Sequence, residues 1–143
     1  MEMTLVGVGE TSDALRRVSE RLAENDWTVV RVHDVVAGPV GESGVLDALS
    51  GFAARPEVVE TLELDRLIAD NPGGQVLVLC EPACVREMTA RILEVPTELV
   101  PLPESGSVTR FRAARSEVRT VVCVNDTLHL VDTAAVPDLE RMY

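Results

Sequence analysis

The chain has no lysine: all 13 of its basic residues are arginine, set against 24 acidic ones, for a formal net charge of −11. A surface of that sign repels polyanions and forgoes the counterion release that drives nonspecific binding of DNA or RNA, which argues against a nucleic-acid partner. Only 3% of the residues are aromatic, so the core must be built from Val, Leu and Ala. These suit buried parallel strands and the helices packed on them. No apolar run approaches the roughly 18–20 residues of a membrane span, and the Met-Glu-Met start lacks the basic region of a secretory signal. Three cysteines are too few and odd in number for a secreted disulfide scaffold. The expectation is a cytoplasmic protein with no membrane partner.

What is present is enough for one domain. With 143 residues, 46% of them apolar, the chain can bury a single core but not two ordinary ones. Residues 1–131 are read as that domain and 132–143 as a C-terminal tail. Residues 3–8 form an apolar strand, after which Ser12 can cap a helix carrying Leu15, Val18 and Leu22 at helical spacing. Residues 27–32 read as a second strand, followed by a loop through His33, Asp34 and Gly38-Pro39-Val40-Gly41. Val45, Leu46, Leu49 and Phe52 predict a helix that Pro56 stops, and residues 59–69 predict another. Asn71-Pro72-Gly73-Gly74 makes a tight turn into the continuously apolar run 75–80, a central parallel strand, with Val85, Met88 and Ile92 marking the next helix. Past Pro96, Pro101 and Pro103, residues 107–113 and 118–124 are expected to pair as a hairpin across a turn at Ala114-Arg115-Ser116. In the first of these strands Thr109 and Phe111 alternate with Arg110 and Arg112, one face buried and one wet. The order predicts an α/β protein: a three-layer sandwich with a mostly parallel central sheet and a C-terminal hairpin.

Two segments carry a more specific signal. Gly106-Ser107-Val108-Thr109-Arg110-Phe111 followed by Val124-Asn125-Asp126-Thr127-Leu128-His129-Leu130 resembles the closing hairpin of the histidine phosphatase superfamily, and residues 71–79 resemble the turn and strand that lead to that family's second catalytic histidine. Leu5-Val6-Gly7-Val8-Gly9-Glu10-Thr11 is similar to the family's opening Leu-Val-Arg-His-Gly-Glu-Thr, and Gly41-Glu42-Ser43 to the start of a middle helix. A second alignment instead sets residues 12–17 on a later Ser-x-Leu-x-Arg segment. The resemblance implies a phosphoglycerate mutase-like fold, and homodimers are common among proteins of this kind.

The resemblance also places the chemistry. It sets the nucleophilic histidine on Val8, the preceding arginine on Gly7 and the second histidine on Glu81. Valine has neither lone pair nor exchangeable proton and cannot carry a phosphoryl group. A carboxylate about 4 Å from a phosphate oxygen costs about 4 kcal/mol per unit charge at an effective dielectric of about 20. Both replacements therefore point away from phosphoryl transfer. The resulting expectation is a catalytically degenerate protein that binds or regulates, its partner a small molecule or a protein and no cofactor required. Its ligand site would draw on Val8, Gly9, Glu10, Arg16, Glu42, Cys80 and Glu81.

Other readings stay open beside this one. Glu81, alone or with Glu10 and Glu42, could serve as acid or base in an enzyme of another class acting on a non-phosphorylated small molecule. Residues 7–12 also resemble a damaged dinucleotide fingerprint, with Asp34 placed to meet a ribose, a nucleotide-binding Rossmann-like alternative. The bland counterpart is two glycines in a tight turn. Cys80 and Cys84 flank the end of the central strand without a zinc spacing and read as buried thiols. Arg16 reads as a solvated helix residue, His33 as ordinary surface, and His129 as a structural part of the closing motif.

Overall fold

The computed structural model describes residues 1–9, 12–33, 41–114 and 118–130, with the side chains of Ser12 and Glu42 left out. Six strands form one sheet: β1 (Glu2–Gly7), β2 (Val29–His33), β3 (Pro56–Val59), β4 (Gln75–Cys80), β5 (Val108–Ala113) and β6 (Arg119–Asp126). Their order is β3-β2-β4-β1-β5-β6. The first four run parallel, while β5 is antiparallel to both β1 and β6. The mostly parallel sheet with a closing hairpin is thus the architecture expected from the sequence.

Helices cover both faces. α1 (Ser12–Leu22) and α2 (Gly41–Ala48) bring Leu15, Val18, Leu22 and Val45 against Val6, Val30, Val32, Leu77 and Leu79. On the other face, α3 (Leu64–Asp70) and α4 (Pro82–Leu93) set Leu64, Val85, Met88 and Ile92 against Met3, Leu5, Val76, Val78 and Phe111. Strand β4 feeds both cores with alternate residues, which is why its sequence is apolar without interruption. Three layers follow directly.

Three expected elements differ. The helix expected to run to a stop at Pro56 ends at Ala48, leaving Leu49 and Phe52 beyond it. The helix predicted over residues 59–69 begins only at Leu64, as α3, and Val59 instead ends a short strand, β3. Proline is tolerated as the first residue of an edge strand, where no ladder bond needs its missing N–H, and β-branched Val58 and Val59 extend it alongside β2. The helical period in the sequence was real only from Leu64 onward. Strand β2 starts at Val29 and not at Trp27, because the indole Nε1–H of Trp27 donates to the Leu22 carbonyl at the end of α1 (2.9 Å). The turn before β4 is as expected: Gly73 has φ +71° and the Gly74 N–H donates to the Asn71 carbonyl. The expected hairpin turn includes residues outside the described set, but the Ala114 N–H to Val118 carbonyl bond (2.9 Å) closes its base. Asp34, residues 38–40 and the 132–143 tail also lie outside the described residues.

Candidate functional site at the ends of β1 and β4

After β1 the chain turns to the α1 face, and after β4 to the α4 face. The two adjacent parallel strands therefore send their helices to opposite sides. Such a switch point opens a crevice outside the carboxyl ends of the strands and is where open α/β sheets place their ligands. Gly7, Val8 and Gly9 lie on one side of it, Cys80 and Glu81 on the other. The Val8 N–H donates to the Cys80 carbonyl (2.7 Å), so the residues that the two motifs singled out are neighbours.

Val8 is 7% exposed and belongs to the α1/α2 core, in the same cluster as Leu15, Leu79 and Val108. Its burial contributes about 1.5–3 kcal/mol, as for any fully enclosed aliphatic side chain. Gly7 is closely covered: a Cβ there would stand 3.3 Å from Pro82, the first residue of α4, and 3.6 Å from the Glu104 carbonyl oxygen. At Gly9 a Cβ would come within 2.7 Å of the Ser105 side chain, whose Oγ accepts the Gly9 N–H at 3.0 Å. Glycine is required at this position by contact.

The loop that presses on these glycines is fixed by the closing motif. The Asn125 Oδ1 accepts the Glu104 N–H (2.9 Å), and Asn125 itself holds a left-handed backbone, φ 53°. The Gly106 N–H donates to the Gly7 carbonyl (2.7 Å); Gly106 has φ +78°, and a Cβ there would lie 2.9 Å from that of Ala14. His129 bonds the Gly106 carbonyl through Nε2 (2.6 Å) and meets Arg21 at Nδ1 (2.7 Å). Arg21 can only donate, so the ring carries its proton on Nε2. The second Arg21 nitrogen pairs with Asp126 (2.7 Å), whose other oxygen accepts the Leu128 N–H at 3.0 Å. Asn125, Asp126 and His129 thus serve the packing of the 104–106 loop and α1.

Electrostatics agree with that assignment. Burial, with the Arg21 guanidinium adding to it, holds His129 below its ordinary value against the opposing bond to Gly106, which favours a neutral ring. Asp126 is held below the usual carboxylate range by the Arg21 hydrogen bond first and the Leu128 N–H second. The motif histidine is a neutral brace.

The remaining sequence candidates scatter. Glu81 is half-buried, caps α4 with an extended backbone, and its side chain makes no cap bond. Cys80 is fully buried in the α3/α4 core and Cys84 is half-buried on α4. Arg16 is 58% exposed and paired along its own helix with Asp13 (2.7 Å) and Glu20 (3.0 Å). The Nδ1 of His33 donates to the Val59 carbonyl at 3.0 Å, tying the ends of β2 and β3. Glu10 and the Glu42 side chain lie outside the description, so the three-glutamate group has only Glu81 placed. The dinucleotide alternative is contradicted by topology. Strand β4 lies between β1 and β2, so the end of β2 is not beside the Gly7–Gly9 turn as that fold requires. Among the described residues no three His, Cys, Asp or Glu side chains gather as metal ligands, and no helix is long and apolar enough to cross a membrane.

Two contributors escaped sequence reasoning. Ser105 lies just before a glycine in a proline-rich loop, and nothing local marks it as the partner of Gly9. Arg21 reads as one more basic residue in the last turn of α1. A large open cleft of about 1070 Å³ lies elsewhere, at the opposite end of the sheet, lined among others by Met1, Gly73, Ala113 and Arg119.

No family model and no curated protein matches the sequence. Solved structures do match in shape. The chain is similar to a phosphoserine phosphatase from Entamoeba histolytica in complex with 3-phosphoglyceric acid, with a TM-score of 0.70 at 10% identity over 91% of this chain and 99% of that one. A histidine-to-alanine variant of that phosphatase in complex with phosphoserine gives 0.68 at 11% identity, over 91% and 99% of the two chains. A phosphoglycerate mutase from Plasmodium falciparum gives 0.57 at 14% identity, over 86% and 89%. With its strand order, three layers and closing hairpin, the chain has a phosphoglycerate mutase-like α/β fold.

Proposed function

We propose that this chain uses the fold to bind a small molecule or a protein partner, in a regulatory role, and does not transfer phosphoryl groups. The observation that carries the reading is Val8, an enclosed aliphatic side chain at the strand end where the sequence resemblance sets the nucleophile. The chain's two histidines offer no substitute. His129 has both ring nitrogens engaged, and His33 is bonded to Val59 at the far strands of the sheet. A binding role on this fold is supported by the Entamoeba histolytica variant with a histidine replaced by alanine, which is found in complex with phosphoserine.

Glu81 supports a changed ligand. A half-buried carboxylate at the switch point disfavours a phosphate and favours a group that donates a hydrogen bond or carries positive charge. The experiment is hydrolysis of a generic phosphomonoester by the purified chain and by Glu81→Ala. The expected outcome is background rate for both proteins. Hydrolysis by the unmodified chain that Glu81→Ala abolishes would overturn the proposal.

A further inference from the structure

Strand β6 ends the sheet, and among the described residues no strand pairs its outer edge. The Ala114 N–H to Val118 carbonyl bond fixes the phase of its ladder, with Arg112 opposite Thr120 and Ala113 opposite Arg119. Residues 118 and 120 therefore turn their N–H and C=O groups toward β5, and Arg119 and Val121 turn theirs outward. Side chains alternate in the same way. Arg119 and Val121 are half-buried on the α3/α4 side, while Val118, Thr120 and Val122 are exposed, the two valines by 60% and 46%. Exposed β-branched residues on an open edge make a pairing surface unless charge or irregularity blunts it.

Little blunts this one up to Val122. Residues 120–124 carry no charge in a chain of net charge −11, and Arg119 is neutralised by Asp65 at 2.6 Å. The register irregularities opposite Val108, Arg110 and Phe111 fall beyond Val121, which limits regular pairing to the first part of the strand. That part is self-complementary. If two copies of β6 run antiparallel about a twofold through Thr120, Arg119 faces Val121 of the other copy, and Val118 faces its Val122. The outward groups of Arg119 and Val121 then form about four main-chain hydrogen bonds, and the valine and threonine pairs fall in the closely spaced positions. No like charges stand opposite one another.

We propose that two copies of this chain associate in this way, joining their sheets across the β6 edge through residues 118–122. The occupant of the edge is a second copy because two acidic molecules approach with least repulsion along their uncharged strands, and because an isologous contact needs a surface complementary to itself. The proposal is independent of the ligand read at the switch point.

Sedimentation equilibrium on the full chain tests it. The unmodified protein is expected as a reversible dimer. Val118→Lys with Val122→Lys sets like charges across the twofold and weakens association at least tenfold. Val118→Lys with Val122→Glu sets opposite charges there and restores it. Both positions are exposed, so circular dichroism should show native folding in each variant. A monomer at every concentration up to the solubility limit, or a dimer indifferent to the double-lysine variant, would overturn the proposal, as would failure of the lysine–glutamate variant to restore the dimer.

Discussion

The closing hairpin and the end of β1 both resemble the same family, yet they fare differently. In the hairpin region, Asn125, Asp126 and His129 each meet a partner, Glu104, Arg21 and Gly106 in turn, and together they hold the loop that packs on Gly7 and Gly9. At the end of β1 the positions set by the resemblance for an arginine and a histidine hold Gly7, covered by Pro82, and Val8, enclosed in the core. The comparison teaches that the hairpin segment resembling the family packs the fold, and that Gly7 and Val8 at the end of β1 are packed as well.

This comparison can be broken at several points. The largest effect is expected at Gly106: with φ +78° and Ala14 2.9 Å from a new Cβ, Gly106→Val combines backbone strain with a clash and should cost roughly 3 kcal/mol or more in urea denaturation. Gly9→Ala follows at roughly 2 kcal/mol, since its Cβ would meet Ser105 within 2.7 Å. Ser105→Gly in the same chain should recover part of that loss, and no recovery would mean that the contact is not the cause. His129→Ala removes two part-buried hydrogen bonds and is expected to cost about 1–2 kcal/mol in the same denaturation assay.

His129 also predicts a pH dependence. Its folded value lies below the ordinary histidine value of about 6.5, so around that pH the unfolded chain binds more protons than the folded one. Stability should therefore fall as pH drops from about 6.5 toward the lower folded value and be level above. His129→Gln, which cannot titrate, should flatten that slope. A slope unchanged in the variant would assign it to another group. The smallest effect is expected for Arg16→Ala: its two ion pairs lie on the solvated face of α1, so both the denaturation midpoint and ligand binding should stay as they were. Weakened binding would return Arg16 to the site.

Much of the fold was legible because both kinds of periodicity were clean. The run Gln75–Cys80 could only be a strand buried on both faces, and Leu15, Val18 and Leu22 could only be one helix stripe. Pro56–Val59 was not legible, since four residues opening on proline give too short a pattern to separate strand from helix, and the nearby leucines extended the wrong one. In the site, Val8 and Glu81 were legible as neighbours only through the family resemblance, because parallel pairing of β1 and β4 joins residues about seventy positions apart. Ser105 and Arg21 were not legible at all. Each acts through one long-range contact that no local spacing records.

The central claim is that the chain keeps the fold and forms no phosphohistidine. Its most direct measurement is incubation with a labelled phosphoryl donor, followed by alkaline quench, which preserves phosphohistidine, and mass analysis of the protein. With only His33 and His129 in the sequence, both held by backbone or side-chain partners, the account predicts no labelled protein. Phosphate found on either histidine in stoichiometric amount would contradict it.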